Sequence, residues 1–290
     1  MPEAVERFVP DGCSVAMGLA LEPMIPFAAA HQIIRRQRRE LDLVGPISDA
    51  LFDQLIGAGC VRRITAAWVG NVSEGLGHCF RRSCEVGMPR SLEVRDHSNF
   101  SISLALWAAA WNVPSLPTRT LLGSDILRTN PGLRAEGGLV HVDAVRPDVA
   151  VVHVQRADAE GRAHAWGPVG ITEEAGLAAE RIVITCEQLV DSEVTLSDPN
   201  RILFPETKVA AVVHSPGGAH PSPVQGFFKR DHAFYRNYAA LSRSPAGFQS
   251  WLEEWVTGVA DREEYMARLD LTPLRISRQR LSVPVDYGYE

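Results

Sequence analysis

The feature that most limits what this chain can fold into is a regular alternation. Short runs of β-branched and aliphatic residues recur at 14–17, 41–44, 61–69, 91–95, 149–154, 181–185 and 208–214. Between several of them lie longer stretches with Ala and Leu at helical spacing, at 23–39, 49–58, 98–111 and 172–179. A near-continuous apolar run of this length reads as a strand covered on both faces, and successive parallel strands need a crossover, usually a helix. The alternation therefore predicts βαβ units and an α/β fold: an open, mostly parallel sheet flanked by helices. From Asp231 the texture changes to aromatic residues at helical spacing: Phe234, Tyr238, Leu241, Phe248, Trp251, Leu252, Trp255, Tyr265 and Leu269. These predict C-terminal amphipathic helices packed on the core or on a partner. The expected organisation is a core at 1–230, helices at 231–270 and a tail or arm at 271–290, where no period is left.

Composition excludes several classes of partner. With 290 residues, 46% hydrophobic and 22% charged, the chain is an ordinary globular sequence. Its net charge of −6 lacks the basic footprint of a nucleic-acid binder. No apolar window reaches the roughly 18 residues a membrane-spanning helix needs, so no membrane association is expected. Acidic residues at Glu3 and Glu6 stand where a secretory signal would place a basic flank and an apolar core, which predicts a cytoplasmic protein. The five cysteines, at 13, 60, 79, 84 and 186, include one close pair, Cys79 and Cys84, with no second pair to complete a zinc site. Reduced thiols and no metal are the expectation.

Three segments carry candidate chemistry. Arg95-Asp96-His97-Ser98-Asn99-Phe100 ends a predicted strand and opens a predicted helix. Ser98 or Asn99 is a natural cap, and free N–H groups at such a helix start form a seat for an anion. His97 reads either as a proton donor and acceptor near neutral pH or as a satisfied structural residue. In the second segment, Pro114 and Pro117 hold the chain extended and deliver Arg119 ahead of a Gly123-Ser124 turn. That guanidinium suits a carboxylate or phosphate, or a structural salt bridge. The third, His214-Ser-Pro-Gly-Gly-Ala-His-Pro-Ser-Pro223, follows a predicted strand. Its paired glycines, Gly217 and Gly218, let backbone approach a ligand or simply form an irregular loop, and His220 lies beside them. The candidate substrate-binding set is thus Ser98, Asn99, Arg119, Ser124, Gly217, Gly218 and His220, with His97 as the candidate catalytic residue. The chain has no G-x-G-x-x-G, P-loop, G-x-S-x-G or H-E-x-x-H motif, so dinucleotide, nucleoside-triphosphate, serine-hydrolase and zinc-protease readings lose weight.

Seven stretches, in order, carry a family resemblance: Asp11-Gly-Cys-Ser-Val-Ala, Leu43-Val-Gly-Pro, Leu55-Ile-Gly-Ala-Gly-Cys-Val-Arg-Arg-Ile, Asp96-His-Ser-Asn-Phe, Leu116-Pro-Thr-Arg-Thr-Leu-Leu-Gly-Ser-Asp, Arg146-Pro-Asp-Val-Ala-Val-Val-His-Val-Gln-Arg-Ala-Asp-Ala-Glu-Gly and Ser215-Pro-Gly-Gly-Ala-His-Pro-Ser. On these the sequence resembles the A (alpha) subunit of the family I coenzyme A transferases, in particular the glutaconate CoA-transferase group, over roughly residues 10–270. The resemblance implies an open α/β fold and pairing with a homologous B subunit in a heterotetramer or larger assembly. It further implies covalent catalysis in which a B-subunit glutamate attacks an acyl-CoA. Coenzyme A then enters as a thioester substrate, here of a dicarboxylic, C5-like acyl group, with no tightly bound cofactor, and no glutamate of this chain is the nucleophile. Met17-Gly-Leu-Ala-Leu-Glu-Pro stands where family members commonly carry a glycine-rich stretch. Relatives of the family also hydrolyse cyclic acyl-CoA esters or decarboxylate glutaconyl-type ones, so both activities are alternatives. A non-catalytic sensor module is the competing class, but it would need a DNA-reading helix-turn-helix, and the first forty residues offer one helix ending in Arg35-Arg36-Gln37-Arg38-Arg39.

Overall fold

The computed structural model of the chain describes residues 1–275, so most of the tail or arm expected at 271–290 lies outside the described residues. In chain order the strands are β1 (Ser14–Met17), β2 (Leu41–Gly45), β3 (Val61–Ala66), the short pair β4 (Gly70–Asn71) and β5 (Gly75–Leu76), β6 (Glu93–Asp96), β7 (Ser115–Thr118), β8 (Leu133–Glu136), β9 (Leu139–Asp143), β10 (Val149–Ala157), the short β11 (Ala163–His164), β12 (Arg181–Leu189) and β13 (Val209–His214). The main sheet runs β13-β12-β10-β1-β2-β3-β6, with every neighbouring pair parallel, and β11 folds back antiparallel on β10. Each apolar run predicted as a strand is one of these parallel strands.

Side-chain alternation divides the interior into two cores. Val15, Met17, Val149, Val151 and Val183 face one side, Ala16, Ala150, Val152, Val154 and Ile184 the other. The first side is covered by α1 (Pro2–Phe8), α2 (Phe27–Arg35), α3 (Ala50–Gly57), α4 (His78–Val86) and, from the C-terminal segment, α9 (His232–Ser242), α10 (Pro245–Leu252) and α11 (Arg262–Ala267). The aromatic residues Phe234, Tyr238, Phe248, Trp251 and Tyr265 are buried there, so their helical spacing serves packing within the chain. The second side is covered by α5 (Asn99–Ala110), the short α6 (Asp125–Thr129) and α7 (Thr172–Ala178), and by a separate antiparallel sheet of order β7-β9-β8, with the short α8 (Ser192–Leu196) following β12.

Boundaries differ from expectation for local reasons. The run at 61–69 leaves the sheet after Ala66, because the Ala67 and Trp68 amides donate to Pro46 O at 2.9 and 3.1 Å. The stretch 23–39 is helical only over Phe27–Arg35: Pro23 and Pro26 precede it, and Gln37 (φ 52°) and Glu40 (φ 58°) take left-handed backbone. Strands β10 and β12 run several residues past their apolar segments, into Gln155 and Glu187, whose polar groups are satisfied inside the protein. The chain order reverses between β1 and β10: from β1 it proceeds through β2, β3 and β6, then returns to β10 on the other side of β1. In open α/β sheets ligands bind outside the carboxyl ends of the strands near such a reversal.

Candidate active site

Residues His97, Ser98 and Asn99 sit just beyond the carboxyl end of β6, the strand at one edge of the sheet. Ser98 is the cap of α5. Its hydroxyl accepts the Ser101 N–H at 3.0 Å while the Ser101 hydroxyl accepts the Ser98 N–H at 2.9 Å, a reciprocal capping box. This closure leaves the Asn99 and Phe100 amides at the exposed helix start, the positive end of the helix dipole. His97 is buried, with Nδ1 3.0 Å from Ser101 Oγ. Burial first, and the Arg95 charge second, push its pKa down to about 4. The imidazole is therefore neutral at pH 7, and the expectation that it titrates near neutrality is corrected. What it offers at this edge is a fixed hydrogen-bonding ring.

The Arg119–Ser124 segment lies on the same side of the molecule. It follows β7, which packs on α5, and leads into α6, which packs against β6. Asn130 ties the two together by donating from Nδ2 to Asp96 O at 2.6 Å. Ser124 caps α6, accepting the Leu127 amide at 3.4 Å and donating to Leu121 O at 2.7 Å. Arg119 is exposed and forms no ion pair among the described residues, so the structural-salt-bridge alternative is not realised within them.

Gly217, Gly218 and His220 follow β13, at the opposite edge. Six strand spacings of ~4.8 Å separate the two edges, about 29 Å in all. The residues singled out in the sequence therefore form two groups, and one chain does not bring them into a single pocket. The glycine loop is braced from several directions. Gly217 takes φ +68° and donates its N–H to Glu187 Oε2 at 2.8 Å, while Gly218 O accepts the Ala28 amide, in the first turn of α2, at 2.8 Å. A Cβ at Gly218 would lie 2.7 Å from Ser215 O and 3.0 Å from the His153 ring, so glycine is needed for that approach. His220 is fully buried, with Nδ1 2.8 Å from the Tyr265 hydroxyl and Nε2 3.1 Å from Asp231 Oδ2. Both its nitrogens are engaged, which makes it a brace of the loop; this corrects the expectation of a direct substrate contact.

Two polar clusters near the centre of the sheet were not legible in the sequence. Glu187 and His153, on neighbouring strands, meet at 2.9 Å between Oε1 and Nε2, and the imidazole Nδ1 lies 2.8 Å from Thr185 Oγ1. Both carboxylate oxygens of Glu187 are thus committed, to the imidazole and to the Gly217 amide. Glu187 borders a cavity of about 900 Å3, whose wall also includes Gly217, Phe228, Arg262 and Met266. The second cluster follows β2. Ser48 (φ 59°) and Asp49 (φ 49°) are consecutive non-glycine residues in left-handed backbone, and such strain collects at functional sites. Ser48 Oγ bridges Met17 O at 3.0 Å and Gly18 O at 3.2 Å, binding the loops after β1 and β2 together. A Cβ at Gly18, which has φ +67°, would come within 2.5 Å of the Ser48 side chain. Further along that loop Leu21 (φ 72°) and Met24 (φ 54°) hold a backbone that suits glycine. Asp49 is buried with Arg230 Nη1 at 2.5 Å and Asn71 Nδ2 at 2.5 Å, and burial raises its pKa to about 6 against the pull of Arg230. The one signal available was His153, a polar residue inside the apolar run 149–154; Glu187 lies beyond the run 181–185, and the Asp49–Arg230 pair had no signal, being 181 residues apart.

The carboxyl ends of the parallel strands thus carry the exposed amides of the α5 start and a braced glycine loop, with the exposed Arg119 on the neighbouring segment after β7, and the stretch of chain that builds this sheet matches a known family. Residues 1–215 match the family described as Coenzyme A transferase. The chain belongs to that family. It is 39% identical to the A subunit of the 3-oxoadipate CoA-transferase of Pseudomonas knackmussii over 274 residues, covering 92% of this chain and 96% of the relative. The solved glutaconate coenzyme A-transferase of Acidaminococcus fermentans superposes with a TM-score of 0.87 at 27% identity, covering 100% of this chain and 98% of that one. The solved decarboxylase AibA/AibB gives 0.73 at 27% identity, over 87% and 96%. The coenzyme A transferase resemblance, the transferase class and the mostly parallel α/β fold are borne out. Among the described residues no group of three or more His, Cys, Asp and Glu side chains could hold a metal, and no helix is long and apolar enough to cross a membrane.

Proposed function

We propose that this chain is the A subunit of a two-subunit enzyme that processes a dicarboxylic, C5-like acyl-CoA, the nucleophile coming from a homologous B subunit. The observation that carries the dicarboxylic class is the end-to-end similarity to an A subunit whose named substrate, 3-oxoadipate, is a six-carbon dicarboxylate. Glutaconate, named for the solved transferase, is a five-carbon dicarboxylate and supports the C5-like length. In this reading the Asn99 and Phe100 amides at the cap of α5 and the Arg119 guanidinium receive anionic groups of the thioester, with Ser98 and Ser124 shaping the two helix starts. His97 contributes a neutral hydrogen bond beside them. The loop at Gly217 and Gly218, pinned by Glu187 and backed by His220, forms a second wall. Coenzyme A enters and leaves as a thioester. The two groups of residues lie about 29 Å apart, so a second chain is what completes a cleft around either of them.

Transfer between CoA esters is the leading reaction; the likeness to the AibA/AibB decarboxylase favours decarboxylation as the second reading, with hydrolysis beside it. The test is to purify this chain with a B-type chain of the coenzyme A transferase family from the same organism and supply glutaconyl-type and 3-oxoadipyl-type CoA esters. Acetyl-CoA formed from added acetate identifies transfer, carbon dioxide release identifies decarboxylation, and free thiol alone identifies hydrolysis. Silence in all three overturns the enzyme reading.

A further inference from the structure

The order of the strands reverses between β1 and β10, and Arg156 stands next to last in β10. Its Nε and Nη2 donate to His164 Nδ1 at 3.1 and 3.0 Å, and it has no acidic partner among the described residues. The His164 ring is buried and donates from Nε2 to Thr195 O at 2.9 Å, which leaves Nδ1 as the acceptor. Burial first, and the Arg156 charge second, push the His164 pKa down. The ring is therefore neutral at pH 7 and orients Arg156 without adding a charge. Arg201 shares this corner: the Cζ atoms of Arg156 and Arg201 stand 5.7 and 5.5 Å from the centre of the Trp166 ring. Arg201 meets Asp198 through Nε, at 2.7 Å, so Arg156 Nη1 and both terminal nitrogens of Arg201 are left without partners among the described residues. Trp166 is held in place by the buried Gln155, whose amide donates to Trp166 O at 2.8 Å and accepts the Trp166 N–H at 3.3 Å. Two guanidiniums against one carboxylate make a positive corner on a chain of net charge −6, and an anion that both can reach relieves their repulsion.

We propose that Arg156 and Arg201, set against Trp166 at the carboxyl end of β10, form a binding site for a phosphate monoester, the 3′-phosphate of the coenzyme A substrate. This rests on the acyl-CoA reading and says where the phosphate end of that thioester is held. A phosphate monoester carries nearly two negative charges at pH 7 and three acceptor oxygens, so it accepts from two guanidiniums at once. A carboxylate, with one charge and two oxygens in a plane, is matched by a single guanidinium fork. The 3′-phosphate is the one monoester in coenzyme A. A guanidinium beside an indole also keeps its N–H fork directed outward while its flat face packs, which an ammonium does not do. The position agrees with the chemistry, because an open α/β sheet takes its ligands outside the carboxyl ends of the strands beside the reversal. With every main-sheet neighbour parallel, the corner opens on the same end of the sheet as the α5 start and the glycine loop. It lies between them, four strand spacings or about 19 Å from β6 and two spacings or about 10 Å from β13.

The test compares coenzyme A with dephospho-coenzyme A, which lacks only the 3′-phosphate, by titration calorimetry on the full-length chain, alone and mixed with a B-type chain of the family from the same organism. The wild type should bind coenzyme A about 30-fold more tightly than the dephospho form. Arg156→Met and Arg201→Met should each weaken coenzyme A about 10-fold while leaving dephospho-coenzyme A unchanged, and the double variant should bind the two alike. Arg201 makes no contact with a buried hydrogen-bond network, so Arg201→Met keeps the comparison available if Arg156→Met melts below the wild type. Equal affinity of the wild type for the two compounds, alone and in the mixture, overturns the site; so does a double variant that still prefers coenzyme A. A wild-type chain that shows the preference, loses it in the double variant and yet gives no transfer, decarboxylation or hydrolysis with the B-type chain upholds the phosphate site and overturns the enzyme reading instead.

Discussion

His97 is a neutral ring at the mouth of the candidate site, and its burial has a consequence for stability. Its pKa falls from 6.5 in an unfolded chain to about 4 in the folded one. The unfolded state therefore binds more protons between these values, so the ring lowers stability as pH drops from about 6.5 to 4 and is without effect above that window. At about 1.4 kcal/mol per pK unit the full loss approaches ~3 kcal/mol. Urea denaturation of His97→Asn across pH 4–7 should show a flatter stability profile than the wild type; parallel profiles would mean that the ring does not titrate as its surroundings dictate. Capping at Ser98 is legible in the sequence because it is a local matter of four residues. The burial of His97 is not, since it depends on α6 and Asn130 folding back on the tip of β6 from thirty residues away. For Arg119, replacement by Met should lower kcat/KM for a dicarboxylic acyl-CoA by the equivalent of about 2–4 kcal/mol, as expected when a bound anion loses its partner. Steady-state kinetics of the reconstituted enzyme decide this, and an unchanged ratio removes Arg119 from the site.

At the scale of elements, the parallel strands are legible because each is covered on both faces and so reads as an apolar run. The antiparallel sheet β7-β9-β8 is not: its strands are four or five residues long, include Pro117, and expose Arg134 and Glu136. Equally hidden is the lock between the start of α3 and the segment leading into α9, where Asp49 meets Arg230 and the guanidinium stacks 4.1 Å from the Tyr235 ring centre. Removing one partner of a buried pair strands the other charge, at a cost of about 3–5 kcal/mol. Arg230→Met should therefore destabilise strongly at pH 8 and less at pH 5. With a folded-state pKa already raised to about 6, Asp49 is favoured in its protonated form below that value, and it needs the guanidinium mainly above it. Thermal melts of Arg230→Met and of Asp49→Asn/Arg230→Met at both values test this: the double variant should recover most of the loss at pH 8. A penalty independent of pH would assign the effect to lost packing.

For the whole molecule, the decisive property is the distance between the two edges of the sheet. The residues of the candidate site divide between the tip of β6 with the adjoining segment after β7 and the tip of β13. A sequence places such residues in order along the chain but not in order across the sheet, which is why they read as one set and fold into two. In the proposed reading a chain built this way supplies walls of a cleft, and a B-type chain supplies the remainder. The most direct test is turnover of a dicarboxylic acyl-CoA by this chain and a B-type chain of the family from the same organism, purified apart, assayed singly and then mixed. The account predicts no turnover from either alone and activity that saturates at a fixed ratio of the two; turnover by this chain alone would contradict it.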